Sequence, residues 1–205
     1  MANRKFGYIV LAMLFLGFSA GAYGQVTVSG GLALSSMTAE SSYGSESVEG
    51  DIGIGGNIYI DYLLPISVPL SLGAEVGVDS SKFTTDNSED TVLAIPLLLR
   101  VAYHFDLFPK LDLYLVGKIG YALGKWSGDT KKLWESYGGT MEEVGGFAFG
   151  VDIGAAYYFT STIGLFAEAG LDRYGLSAKA TIYNESETLK VPFSRFFTAG
   201  LSAKF

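Results

Sequence analysis

The sequence predicts an all-β chain: an eight-stranded antiparallel up-and-down β-barrel that spans a membrane, preceded by a cleaved signal peptide. Three observations predict it. Apolar residues alternate with small or polar ones through eight successive segments, as expected of strands whose side chains point alternately to opposite faces. Several segments exceed the usual five or six residues of a strand, and a tilted membrane strand needs about 9–11. The connections between segments alternate long and short.

The chain opens with Arg4 and Lys5, an apolar stretch from Tyr8 to Phe18, and small residues ending at Ala22 and Gly24. This is the charged, apolar and small-residue order of a signal peptide over residues 1–24, with Gln25 as the expected mature N-terminus of a barrel domain over residues 25–205. Beyond it no apolar run is long enough for a helical span, which takes about 18 residues. Hydrophobic residues nevertheless make up 49% of the chain and charged residues 17%. Removing Arg4 and Lys5 leaves 12 basic and 21 acidic residues, a net charge of −9. That balance excludes a nucleic-acid partner, which calls for a basic patch. The absence of cysteine excludes disulfides, thiol catalysis and thiolate metal sites.

The first segment sets Val26, Val28, Leu32 and Leu34 against Thr27, Ser29, Gly31, Ala33 and Ser35. The second sets Ile52, Ile54, Ile58, Ile60 and Tyr62 against Asp51, Gly53, Gly55, Asn57 and Asp61. The third sets Leu70, Leu72, Ala74, Val76 and Val78 against Ser71, Gly73, Glu75, Gly77 and Asp79. In the fourth, the odd positions from Leu93 to Phe105 are apolar while Arg100 and His104 face the other way, as does Pro96, a blemish because proline cannot donate to a ladder. The fifth places Leu111, Leu113, Leu115, Ile119, Tyr121 and Leu123 against Asp112, Tyr114, Lys118 and Gly120. The sixth opposes Phe147, Phe149, Val151, Ile153, Tyr157 and Phe159 to Gly150, Asp152, Gly154 and Tyr158. In the seventh, Ile163, Leu165, Ala167, Ala169 and Leu171 oppose Phe166, Glu168, Gly170 and Asp172. The eighth is read with Val191, Phe193, Phe197, Leu201 and Phe205 outward and Ser194, Thr198, Ser202 and Lys204 inward.

Alternation alone also fits a soluble sandwich, whose apolar face is its core. The small residues on the polar face suit a narrow lumen instead. Residues 37–50, 80–90, 126–144 and 173–190 form the long connections, and residues 63–69, 106–110 and 160–162 the short ones. An eight-stranded membrane barrel with short periplasmic turns, longer extracellular loops and both termini periplasmic requires that order. Tyr62, Tyr103, Phe105, Tyr157, Phe159 and Phe205 fall outward at the expected periplasmic ends, where an aromatic girdle meets the membrane interface.

With the signal peptide, the eight segments and the last strand from Phe197 to Phe205, the chain resembles the small outer-membrane barrels of the OmpA and OmpX type. The likeness covers about residues 25–205. It implies a bacterial outer-membrane location after export through the periplasm, and contact with outer-membrane lipid and lipopolysaccharide. It also implies delivery by the barrel-assembly machinery, for which the terminal Phe205 looks like the assembly signal. The resemblance is confined to the barrel, and the peptidoglycan-binding domain of OmpA itself is not expected after Phe205.

Glu75, Arg100, Lys118, Asp152 and Glu168 lie at similar heights on the inward face. Charges in a narrow lumen are costly unless paired, so the five are expected to form a salt-bridged plug, with Arg100 and Lys118 as its cationic centre. His104 is the only histidine and reads as a solvated lumen residue, since no serine stands two residues on as the lipid A deacylase pattern requires. Glu40, Glu46 and Glu49 make the first loop acidic, and Trp126, Trp134 and Tyr137 in the third can contact a surface or fold back on the rim. The segment from Tyr174 to Lys190 alternates Leu176, Ala178, Ala180 and Ile182, so the seventh strand is expected to rise above the membrane as a hairpin.

The expectation is a monomeric structural or surface-interaction barrel whose four loops meet an envelope or host ligand, with no catalytic, cofactor or metal site. The second reading is a narrow, porin-like channel for small solutes or ions. Eight strands leave an interior only wide enough for side chains, which favours the first.

Overall fold

The computed structural model describes residues 25–40, 47–85, 88–142, 144–182 and 185–205. The expected signal peptide and Glu46 lie outside the described residues, as do the side chains of Glu40, Glu49 and Trp134.

Among the described residues, ten strands and one helix follow in order: β1 (Gln25–Glu40), β2 (Ser47–Glu49), β3 (Gly53–Leu63), β4 (Leu70–Thr85), β5 (Ser88–Phe108), β6 (Leu111–Gly128), α1 (Asp129–Ser136), β7 (Thr140–Glu142), β8 (Val144–Tyr158), β9 (Ile163–Ile182) and β10 (Glu185–Lys204). Eight of them, β1, β3, β4, β5, β6, β8, β9 and β10, pair antiparallel with their neighbours in chain order, and β10 returns to pair with β1. The barrel is therefore closed and has no free edge. Val26 and Phe205 exchange backbone hydrogen bonds at the seam, with N···O distances of 3.2 and 2.8 Å.

The molecule is inside-out. Ile153 is 70% exposed on the outer face while Arg100 is 1% exposed within, the reverse of a soluble core and the arrangement that a lipid surround requires.

The long connections are less loop-like than their polarity suggests. The segment predicted to be a connection at 80–90 is largely strand, with β4 and β5 reaching Thr85 and Ser88, and the hairpin expected beyond Tyr174 is present, with β9 and β10 reaching Ile182 and Glu185. At 80–90 polar composition hides the strands, because a hairpin above the membrane meets water on its outer face and still keeps its ladder. β7 adds to the side of β9, and β2 to β1. Asp90 anchors α1: it accepts hydrogen bonds from the Thr130 backbone N–H at 3.2 Å, the Thr130 hydroxyl at 2.5 Å and the Trp126 indole at 3.1 Å.

Pro96 is accommodated by a lapse in one ladder. Pairing of β4 with β5 runs from Leu70↔Tyr103 to Val76↔Leu97 and resumes only at Asp79↔Ala94. On its other side Pro96 still faces Ala122 of β6. The missing amide therefore falls where no bond is made.

One expectation about facing is corrected. Val191 and Phe193, read as outward, are buried in the lumen at 2% and 0% exposure. The cause is a β-bulge at Phe196. Arg195 pairs with Ser35 and Asp172, whereas Phe197 pairs with Leu34 and Ala169, so Phe196 is an extra residue against β1, while on the other side β9 sets Gly170 and Leu171 against Phe196 alone. A single inserted residue inverts the facing of everything before it.

Candidate functional site

The lumen is layered, and its layers follow from which inward positions carry which residue types. Nearest the hairpins lies an apolar layer that includes Met37, Phe83, Val92, Leu98, Tyr174, Leu176, Val191 and Phe193, with Trp126 packed against it. The Trp126 ring meets Phe83 edge-on at 5.3 Å, so this aromatic of the third connection folds back on the rim. Tyr137, by contrast, is exposed.

Below this layer sits the charge network. All five residues expected there meet. Arg100 donates to Glu75 at 2.7 Å, to Glu168 at 2.6 Å and to Asp61 at 3.3 Å, and its guanidinium stacks 3.7 Å from the centroid of the Tyr59 ring. The Lys118 ammonium lies 2.5 Å from Asp152, 3.1 Å from Asp172, 3.2 Å from Glu168 and 3.5 Å from Glu75. Glu75 also accepts from Asn57 at 2.9 Å, and Glu168 from the Tyr114 hydroxyl at 3.0 Å.

A third cation completes the network. Arg195 donates to Glu75 and, at 2.8 Å, to Asp79. Asp61, Asp79 and Asp172 join it, although the sequence placed them only on the inward face. Arg195 itself was hidden by the bulge, since uniform alternation puts it on the outside. The adjacent Phe196 and Phe197 were the available signal: two large apolar residues in a row cannot both follow a period of two. Six carboxylates thus surround three cations. Each guanidinium or ammonium bridges at least two strands, and such pairs are costly to break singly because the remaining partner stays buried.

The third layer, towards the short turns, is aromatic and then polar. Tyr59, Tyr114, Val116, Tyr158 and Phe166 pack together, and beyond them opens a cavity of about 140 Å³. His104 lies in its wall and is not simply solvated. Its Nε2 is 2.9 Å from the Ser71 hydroxyl and its Nδ1 is 2.9 Å from Asp112. The serine comes from the neighbouring strand β4, so spacing along β5 could not reveal it. Lys204 lies 3.8 Å from the other oxygen of Asp112 and 3.9 Å from the centroid of the Tyr158 ring.

The six aromatics of the expected girdle lie at this same end. Tyr103, Phe105, Tyr157, Phe159 and Phe205 expose between 41% and 74% of their surface, and Tyr62 is intermediate. Among the described residues no group of His, Cys, Asp and Glu is arranged to hold a metal ion, and no helix is long and apolar enough to cross a membrane.

The model of one protein family, described as outer membrane protein beta-barrel domain, matches residues 8–205. No curated protein matches the chain. Among solved structures, the outer membrane protein OprG from Pseudomonas aeruginosa is similar with a TM-score of 0.57 and 12% identity, covering 89% of this chain and 96% of that one. A major outer membrane protein from Thermus thermophilus has a TM-score of 0.51 and 12% identity, covering 89% and 99%. Neisserial surface protein A shares 21% identity over 90% of this chain and 98% of that one, with a TM-score of 0.49. These likenesses concern the fold alone.

Proposed function

Since the chain belongs to the outer membrane protein beta-barrel domain family and so resides in the bacterial outer membrane, we propose that it serves as a surface-presenting barrel rather than a pore. Its short turns face the periplasm and its hairpins face outward. The observation that carries this reading is the double seal of the lumen. Phe193 and Tyr174, both 0% exposed, lie in the outer apolar layer, directly above a network in which Arg100, Glu75 and Glu168 are at most 3% exposed. A solute crossing the barrel would have to displace both layers. The hairpins, joined at their sides by β2 and β7, are then the working surface, offered to lipopolysaccharide and to an envelope or host ligand by a monomer.

The test is single-channel recording in a planar bilayer. No conductance steps above background are expected. Well-defined steps, abolished by substitution of Lys118, would establish the narrow channel and overturn this reading. The same proposal assigns Phe205 to recognition by the barrel-assembly machinery, because it both ends the alternating strand and bonds to Val26 at the seam. Deleting Phe205 is expected to reduce the fraction of chain recovered as heat-modifiable barrel in cells, while refolding in detergent suffers less.

A further inference from the structure

The periplasmic vestibule holds an arrangement that sealing the barrel does not require. Three strands each contribute one residue: Ser71 from β4, His104 from β5 and Asp112 from β6. An ionised carboxylate can only accept a hydrogen bond, so Asp112 places the His104 proton on Nδ1 across the 2.9 Å contact. That leaves the lone pair of Nε2 facing the Ser71 hydroxyl, also at 2.9 Å. A serine, a base and an orienter within hydrogen-bond reach of one another are the parts of an activated nucleophile. All three line the cavity of about 140 Å³ that opens at the short-turn end. The Tyr114 ring lies against the imidazole, with centroids 5.6 Å apart, which limits its rotation.

We infer that Ser71 and His104 are catalytic residues of a periplasm-facing acyl-transfer centre acting on small esters, with Asp112 as the positioning residue. In the first step the Ser71 Oγ adds to the ester carbonyl carbon as its proton passes to His104 Nε2. Collapse of the tetrahedral adduct breaks the bond to the alkoxy oxygen, which takes that proton and leaves as an alcohol. Water then adds to the acyl-serine, giving its proton to Nε2. Release of the carboxylic acid returns the proton to Ser71. Ser71 pairs with Leu63 on one side and Ala102 on the other, so its strand offers no open loop of amides for the oxyanion. The cations in the vestibule wall are Lys110 and Lys204, the latter held by Asp112 and the Tyr158 ring. Ser71 is only 1% exposed, which restricts the substrate to a slender, short acyl group and excludes a bulky one.

The experiment uses the barrel folded in detergent, with folding verified by its migration before and after boiling. A small alkyl fluorophosphonate is the covalent probe and 4-nitrophenyl butyrate the substrate. Expected are one adduct, mapped by mass spectrometry to Ser71, and ester hydrolysis absent from Ser71→Ala. Both rates should fall by about 100-fold or more in His104→Gln, in line with loss of a general base. Asp112→Glu should retain labelling that Asp112→Asn loses. A further readout needs no variant: carbethoxylation of His104, the only histidine in the chain, should block labelling, and hydroxylamine should restore it. The inference is overturned if the folded barrel gives no Ser71 adduct, if the adduct forms only after unfolding, or if its rate survives carbethoxylation. Each of these would make the triad a hydrogen-bonded brace between strands. None of the outcomes bears on whether the hairpins bind a surface or whether the lumen conducts.

Discussion

The two ends of the lumen are built from the same eight strands yet reach opposite solutions. At the hairpin end, inward positions carry Met37, Phe83, Val92, Val191 and Phe193, and the interior is packed with apolar side chains. At the short-turn end they carry Ser71, His104, Asp112 and Lys204, and the interior opens into a cavity. The strands cannot account for the difference, because the pleat supplies inward positions equally at both ends. The bulge at Phe196 contributes to it. By reversing the facing of β10, it sends Val191, Phe193 and Arg195 inward above the kink, while Thr198 and Ser202 face inward below it. One extra residue thus adds two apolar side chains to the upper seal and the third cation to the network beneath.

The largest effect is expected from deleting Phe196. Uniform alternation would then force either Arg195 and the two seal residues, or the strand below them, onto the lipid face. An arginine near the bilayer midplane costs about 2–4 kcal/mol there, added to the loss of packing. The heat-modifiable form should largely disappear; a variant that folds like the parent would show that the bulge does not separate the two ends. Next comes Arg100→Met, which leaves Asp61, Glu75 and Glu168 short of a shared cation. Breaking a buried network from one side costs about 3–5 kcal/mol, and a lowered urea midpoint for barrels in lipid vesicles is the readout.

Phe193→Ala sharpens the contrast differently. It should cost about 3 kcal/mol, at the low end for a buried phenylalanine, because neighbouring side chains can partly fill the space. Bilayer recordings of this variant should remain silent if the charge network alone suffices to seal the lumen, and brief conductance steps would show that the apolar layer is the decisive barrier.

The smallest effect concerns α1. The Lys132 ammonium at 2.8 Å, together with the Glu89 backbone N–H, holds the Asp129 carboxyl below its ordinary value. A depressed carboxyl contributes order above its unfolded value and loses it as pH falls through the folded one. Amide exchange in α1 should therefore quicken only on strong acidification, and Asp129→Asn should abolish that dependence without moving the urea midpoint.

Much of this was legible without a structure. Strand count, the two faces of every barrel strand but β10, and the five charges near the middle of the barrel follow from a period of two, which is a local property of the backbone. Pro96 shows where local reading stops: whether its missing amide matters depends on which neighbour stands beside it, and the ladder lapses on that side alone. The hairpin at 80–90 escapes such a reading because polar composition cannot tell a loop from a strand in water, whereas the alternation of Leu176, Ala178, Ala180 and Ile182 marks the one beyond Tyr174.

What the sequence by itself determined is the membrane barrel, since alternation and the order of long and short connections depend only on residues near one another in the chain. The Phe196–Phe197 doublet signals a break in the facing of β10, but tertiary structure alone decided the meeting of Arg195 with Asp79 and that of Ser71 with His104 and Asp112. The physical reason is common to both. Each depends on the register between strands, which joins residues far apart in sequence: Arg195 reaches Asp79 across 116 positions, and Ser71 reaches His104 across 33. No pattern within a single strand records that register.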